Sequence, residues 1–263
     1  MHRMTAAGHL TTVTSNTWPR SWRDLRAPRP ALVIVAAAVV VALVVVVAAT
    51  QSAGGTGPGP DAGTRPVSVT AGRVATVDLE GVPGQLTVTG SGTDQIRLTG
   101  QLRWSGHAPA ASVRTDRAAR ALHLDYVCAA GSPCTEDYRL SVPAHTAVVL
   151  SQPSGHVVIR GLSAPVRITA GSVDVSATGL RSAVLTAAIT SGHLAAAFAA
   201  APGRISLVLT SAQASVHLPA TTPGYQVSQQ VTSGYVHVGV PRAASSPHQV
   251  SARISSGELE LLP

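Results

Sequence analysis

A repeated pattern over residues 146–262 constrains the fold of this chain more than any other feature of its sequence. A small turn residue is followed, at the second and fourth positions after it, by apolar residues. This occurs six times, with turn residues at Gly155, Gly171, Gly192, Ala214, Gly234 and Gly257. Alternating strands that recur about every 20 residues are typical of a chain that stacks on itself. The sequence therefore predicts an all-β, β-solenoid-like stack of rungs, each made of two short strands.

A long apolar segment precedes this repeat. Residues 31–49 are 19 consecutive apolar residues without a charge, glycine or proline. As a helix they would span about 28 Å, close to the thickness of the hydrocarbon core of a bilayer. The other interpretation is a cleaved signal peptide, because small residues at 47–53 would suit cleavage, but the apolar cores of signal peptides are shorter, about 7–15 residues. We therefore expect an uncleaved transmembrane helix over 31–50.

The arginines on the two sides of this segment predict its orientation. Five arginines lie within residues 1–30, whereas Arg65 alone lies within about 20 residues after the segment. The side richer in Arg and Lys stays in the cytoplasm. We therefore expect a protein of the plasma membrane. Residues 1–30 would form a cytoplasmic tail, and the C-terminal domain would be extracytoplasmic.

The rest of the chain divides into a linker and one domain. Residues 51–66 hold five Gly and three Pro in 16 positions, which is typical of a flexible spacer. Residues 67–263 are enough for one extracytoplasmic all-β domain with its own core. From residue 65 onward there are 14 Arg against 10 acidic residues, so this part is only mildly basic. Without a dense basic cluster interleaved with aromatic residues, it does not indicate nucleic-acid binding.

Cys128 and Cys134 are the only two cysteines, and five residues separate them. Outside the cytoplasm an even pair of cysteines favours a disulfide, although a pair of free thiols stays possible. A metal site would need further ligands close by, and the neighbouring sequence offers no second Cys pair or Cys/His cluster. The loop is short, so we expect a stabilisation of about 2 kcal/mol.

The third position after the turn residue is polar in four of the six repeats. Besides Asp174, the residues there are His217, His237 and Glu260, and the repeat predicts that these three share an outward column on three consecutive rungs. Rungs about 4.8 Å apart would let two histidines share a metal ion, but all three would span about 9.6 Å. An exposed polar face is the simpler interpretation, so we predict no metal and treat the three as candidate surface-binding residues.

Two tyrosines near the end of the repeat are further candidates. Tyr225 and Tyr235 are the only aromatic residues of the last two rungs. Tyrosine suits interfaces, so Tyr235 in particular could contact a glycan or a protein partner. Because the ends of a solenoid need covering, a cap over the open end is the alternative for both side chains.

The sequence carries no recognisable catalytic signature. No G-x-S-x-G, H-E-x-x-H or phosphate-binding P-loop motif occurs. Glu258 and Glu260 fall on one outward face of a predicted strand, where no cleft is implied. We therefore predict neither an enzyme nor a bound cofactor.

A family resemblance is carried by the second half of the chain. Residues 137–150 read DYRLSVPAHTAVVL, and Ser-Gly turns follow at Gly155, Gly192, Gly234 and Gly257. Over about 120–262, and more weakly over 67–120, this resembles the bacterial "putative adhesin" family of β-solenoid ectodomains. The resemblance implies the fold and little about activity. The fourth turn departs from the pattern, and if it needs a positive φ then Ala214 would be strained there, so its geometry is expected to differ.

These features together predict a function class. We expect a membrane-anchored, non-enzymatic cell-envelope protein that presents an extended β surface for adhesion or for binding a protein or cell-wall ligand. The alternative is an envelope-sensing signalling or scaffold subunit whose cytoplasmic tail contacts a regulatory partner.

Overall fold

The computed structural model describes residues 62–81, 83–116 and 118–263. The predicted tail, the predicted transmembrane helix over 31–50 and most of the predicted linker lie outside the described residues. Within the described residues, no helix is both long and apolar enough to cross a membrane. The described part is all-β, as the repeat predicts.

The described residues form 13 strands that join in one mixed sheet. The strands are β1 (Gly63–Ala71), β2 (Thr76–Glu80), β3 (Gly84–Ser91), β4 (Ile96–Trp104), β5 (Ala110–Asp116), β6 (Ala121–Val127), β7 (Cys134–Pro143), β8 (Ala147–Arg160), β9 (Val166–Leu180), β10 (Val184–Phe198), β11 (Arg204–His217), β12 (Gln226–Val238) and β13 (Gln249–Leu262). β1 begins at Gly63, inside the segment predicted as a linker.

The last six strands pair in parallel and in register. Their spatial order is β8-β9-β10-β11-β13-β12, so the C-terminal strand lies between the two strands that precede it in the chain. Equivalent residues therefore stack in columns across the sheet, as in Leu185 beside Ile205 and Ile205 beside Val250. These columns of Val, Ile, Leu and Ala form the core.

Each of these strands bends once, at its Ser-Gly turn or the equivalent position. In β10 the buried side chains are Leu185, Ala187 and Ile189 before the bend and Leu194, Ala196 and Phe198 after it, so the alternation changes phase. A positive φ of 105° at Gly192 lies between the two sets. Both sets belong to one hydrophobic cluster, so the two halves of the strand face the same core. We call the bend the corner, and the halves the first and second arms.

The strand count per rung differs from the prediction. Two short strands were expected for each repeat, whereas β8 to β13 are each one strand of 13–15 residues. Parallel pairing continues through the corner, as in Ser191 beside Ser172, and this keeps each strand continuous. A sequence pattern shows the change of phase but not whether pairing persists across it.

Two of the six predicted turn residues are displaced by two positions. The corner residues of β9 and β11 are Val173 and Ala212, which both pair with Gly192, and not Gly171 and Ala214. Ala214 is instead a buried core residue beside Leu194. A shift of two residues leaves every side chain on the same face, so alternation alone could not detect it.

The first part of the domain continues the stack with rungs made of two strands. β2 and β3 pair in parallel with the first and second arms of β8. β6 and β7 pair in parallel with β2 and β3 in turn. Between β6 and β7 the chain passes through the Cys128–Cys134 loop, which occupies the place of a corner.

This end of the sheet finishes with antiparallel strands. β5 pairs antiparallel with β6, and β4 pairs antiparallel with β7, so the loop at 105–109 lies over the Cys128–Cys134 loop. β1 then pairs antiparallel with β4. The strands at the borders of the described sheet are therefore β1 and β5 at this end and β12 at the other.

Candidate functional site

The outer face of the last three strands carries an array of mostly polar side chains near the sequence-predicted residues. β11, β13 and β12 place equivalent outward residues side by side on their first arms. One column is formed by three serines, and the columns on either side of it contain the glutamines and arginines. In the order β11, β13, β12 the columns are Arg204, Gln249 and Gln226; Ser206, Ser251 and Ser228; and Val208, Arg253 and Gln230.

Two shallow grooves run over this polar face, with volumes of about 260 Å³ and 310 Å³. Ser228 and Ser251 line both grooves, so the serine column lies between them. Arg204 and Arg253 lie on opposite sides of that column. The face thus offers hydroxyl, amide and guanidinium groups to a ligand that lies across the strands.

Side-chain hydrogen bonds between neighbouring strands orient both arginines. The Arg204 Nη2 group donates to Gln249 Oε1 at 3.1 Å, and the Arg253 Nε group donates to Gln230 Oε1 at 3.1 Å. All four side chains are exposed. Each guanidinium keeps further N–H groups that can bind a carboxylate or hydroxyl oxygen.

The structure places only two of the three predicted column residues side by side. His237 on β12 pairs directly with Glu260 on β13. His217 pairs with Leu262, and its Nδ1 lies 3.4 Å from the backbone oxygen of Pro263. The expectation of three consecutive rungs in chain order was wrong, because β13 lies between β11 and β12 and because the corner of β11 is two residues earlier than predicted.

The two candidate tyrosines have different environments. Tyr235 is 57% exposed on the second arm of β12, beside Glu258. Tyr225 is fully buried, its hydroxyl donates to the Pro219 oxygen at 2.7 Å, and burial raises its pKa. Tyr225 therefore packs in the core beside the loop before β12, whereas Tyr235 remains available to a partner.

A cluster that the sequence patterns missed lies on the outer face of the second arms. Asp174 on β9 lies between two histidines, with its Oδ2 3.5 Å from His156 Nδ1 on β8 and its Oδ1 3.1 Å from His193 Nδ1 on β10. All three side chains are exposed. With Val173 as the corner residue of β9, Asp174 falls in the same column as both histidines. With Gly171 as the predicted corner residue, Asp174 fell in a different column.

Cys128 and Cys134 form a disulfide, as predicted, with their Cα atoms 5.6 Å apart. The bond joins the end of β6 to the start of β7. It therefore closes one of the two corners of the parallel stack that have no continuous strand through them; the other lies between β2 and β3. In the described part of the chain, no group of three or more His, Cys, Asp or Glu side chains is arranged to hold a metal ion.

Two tyrosines pack against each other inside the core near this disulfide. The ring centroids of Tyr126 and Tyr138 are 5.0 Å apart. Burial, and secondly the charge of Glu136, raise the pKa of Tyr126 to about 12. Burial raises the pKa of Tyr138 as well. Neither ring faces the outer surface, so both belong to the core and not to a binding face.

Comparison with known proteins finds only distantly similar solved structures. No family model matches the chain, and neither does any curated protein. Similar solved structures include a "putative cell adhesion protein" from Clostridium sporogenes, with 10% identity over 75% of this chain and 99% of that chain and a TM-score of 0.39. A "putative adhesin" from Bacteroides fragilis has 10% identity over 78% and 99%, with a TM-score of 0.35.

A "putative lipid binding protein" from Parabacteroides distasonis is also similar, with 10% identity over 75% of this chain and 97% of that chain and a TM-score of 0.26. The names of the first two structures agree with the family resemblance carried by the Ser-Gly turns. At these TM-scores the likeness says nothing about function.

Proposed function

We propose that this chain is a membrane-anchored, non-enzymatic cell-envelope protein whose β-solenoid domain presents an extended outer face to a protein or cell-wall ligand. The observation that carries this proposal is the continuous polar face on β11, β13 and β12. Its side chains repeat in register at about 4.8 Å, the spacing of paired strands. An extended ligand that repeats polar groups along its length can contact several columns at once.

The chemistry of the face favours a ligand rich in hydroxyl, amide or carboxylate groups. Serine hydroxyls both donate and accept hydrogen bonds, and the glutamine amides do the same through separate atoms. Arg204 and Arg253 add two positive charges to this face. The other side chains of its three columns are neutral. Glycan chains of the cell wall and extended acidic peptide segments both present such groups.

The membrane address rests on the sequence. The apolar segment 31–50 would hold the chain in the plasma membrane, and the arginine-rich residues 1–30 would keep the N-terminus in the cytoplasm. The β domain would then lie outside the cytoplasm, where the Cys128–Cys134 disulfide can form and persist.

Site-specific photo-crosslinking in intact cells tests the ligand-binding face. A photoactivatable residue replaces Ser251, between the two grooves, and a matched control replaces Ser176, an exposed serine on the second arm of β9. Crosslinks to one envelope component at position 251, with few at 176, are expected. Equal labelling at both positions, or none at either in the folded protein, contradicts the proposed binding face.

A further inference from the structure

The strand β12 forms an edge of the sheet that carries no further strand in the described part of the chain, although residues 241–243 lie beside Tyr225, just before the start of β12. It pairs with β13 and contacts no other described strand. Its inward side chains continue the columns of the core, yet they are exposed or only half-buried. Val231 is 40% exposed, whereas its neighbour Ile254 on β13 is fully buried. The core of the stack therefore ends on a partly exposed apolar layer.

The sequence of β12 does nothing to prevent pairing at this edge. Residues 226–238 contain no Asp, Glu, Lys, Arg or Pro. The border strands at the opposite end differ, because β1 carries Arg65 and Pro66 and β5 carries Arg114 and Asp116. Charged side chains and prolines are the usual means by which edge strands avoid pairing with other chains. β12 is therefore the border strand best suited to accept another strand.

In β12, the residues whose side chains face the core are also the residues whose backbone N–H and C=O groups point away from β13, towards the free edge. The N–H groups of Gln226 and Gly239 donate to the oxygens of His248 and Leu261, both on the β13 side. Backbone groups of successive residues in a strand point to opposite sides. The free groups therefore belong to the alternate residues, which are the core-facing ones: Val227, Gln229, Val231, Val236 and Val238.

We propose that the β12 edge binds the β12 edge of a second copy of this chain, in antiparallel orientation, with the two-fold axis at the Ser233-Gly234 corner. With the corners of the two β12 strands next to each other, the first arm of each copy pairs with the second arm of the other. This arrangement places Val231 opposite Val236 of the second copy and Gln229 opposite Val238, and the pairing stops before Tyr225, where residues 241–243 already occupy the edge. This inference is independent of the ligand proposed above.

Two requirements of an antiparallel pair are met by this register at once. Residues that lie opposite each other must both direct their backbone groups to the shared edge, and their side chains must lie on the same face. Val231 and Val236 satisfy both conditions, as do Gln229 and Val238. The corner makes this possible, because the change of phase puts core-facing residues at odd numbers before it and at even numbers after it. A shift of the pairing by one residue breaks both conditions.

The charges next to the edge are complementary across the same axis. Gln230, which accepts a hydrogen bond from Arg253, lies opposite His237 of the second copy. His237 is in turn the neighbour of Glu260. Each column that crosses the axis therefore contains Arg253 and Gln230 of one copy, followed by His237 and Glu260 of the other. Its two ends carry opposite charges. No like-charged pair is brought together at the edge.

The other end of the same domain already contains this kind of closure. There the strands β4 and β5 lie antiparallel on β7 and β6, with one loop over the other. A bent pair of strands thus closes the stack within the chain at one end. At the β12 end the described chain supplies no equivalent, and a second copy would supply it.

Disulfide crosslinking of the full chain in its native membrane tests the proposal. The two natural cysteines are bonded to each other, so one introduced cysteine is the sole free thiol. The copies of Ser233→Cys would lie about 6 Å apart across the axis, within reach of a disulfide. Ser256→Cys is the matched control, because Ser256 pairs with Ser233 one strand further back and its copies would lie about 14 Å apart.

Under mild oxidation, Ser233→Cys is expected to give at least about tenfold more covalent homodimer than Ser256→Cys. Adding Val231→Glu should abolish the crosslink, whereas adding Val208→Glu should not, although both valines are 40% exposed. Equal crosslinking at 233 and 256, crosslinking at neither, or a product containing a different protein overturns the proposal. The comparison of Ser233→Cys with Ser256→Cys does not depend on Val231→Glu, so it remains a test even if the Val231→Glu chain misfolds.

Discussion

Substitution of the corner glycine Gly192 by alanine tests the physical basis of the bent strands. Gly192 has a φ of 105°, a region that residues with a Cβ seldom adopt. A Cβ at this position would lie 2.3 Å from the backbone oxygen of Val173 on β9. Since β9 is paired on both sides, by β8 and β10, its backbone cannot move away without disturbing two ladders.

The expected cost follows from two contributions. A left-handed backbone with a Cβ costs about 1–2 kcal/mol per residue. Forcing extra volume into packed structure typically costs a further 1–3 kcal/mol or so. Together we expect Gly192→Ala to lower the free energy of unfolding by about 2–5 kcal/mol.

The matched control is the reverse change at the equivalent position of the next strand. Ala212 pairs with Gly192, and among the described residues other than glycine only Arg120 has a positive φ. Ala212→Gly should therefore cost only about 0.5–1 kcal/mol, through the entropy of the unfolded chain. Urea denaturation followed by circular dichroism measures both variants. A loss below about 0.5 kcal/mol for Gly192→Ala would refute the reasoning.

Three further outcomes are expected. The double variant Cys128→Ser, Cys134→Ser should lose about 2 kcal/mol of stability in urea, as should the reduced native chain, because the bond closes a short loop; unchanged midpoints would contradict this. Between pH 10 and 12 stability should fall by about 2 kcal/mol through Tyr126, because the unfolded tyrosine, with a pKa of 10.0, ionises before the buried one, with a pKa of about 12; Tyr126→Phe should remove that loss, and an unchanged slope would count against it. A reporter enzyme that works only outside the cytoplasm should be active when fused after Pro66; activity only when fused before Ala31 would contradict the predicted orientation.

The sequence predicts the class of fold because its apolar residues alternate within each repeat. Val157 with Ile159 and Leu259 with Leu261 were assigned to the core from this alternation, and all four are fully buried. The disulfide was also predictable, because Cys128 and Cys134 have no other partners in the chain.

The order and register of the strands could not be derived in the same way. Nothing local in β13 indicates that it lies between β11 and β12, since every strand of the repeat has a similar core face. The choice of Gly171 over Val173 as a corner residue was equally invisible, because both choices leave the same residues buried. Because β13 lies between β11 and β12, His217 is not beside His237. Because the corner of β9 was placed at Gly171, the sequence pattern did not place Asp174 beside its two histidines.

The strands β8 to β13 stack in parallel and in register, with β13 between β11 and β12, and they form one continuous outer face. Spin labels at Thr169 on β9 and Gln230 on β12 share one column, as do labels at Thr169 and Arg253 on β13. In magnetically dilute samples of the full chain, the Cα atoms of these pairs should be about 19 Å and about 14 Å apart, which are four and three strand spacings. The longer distance for Gln230 is the predicted result. A shorter distance for Gln230 than for Arg253, or separations above about 30 Å for both, would contradict the stack.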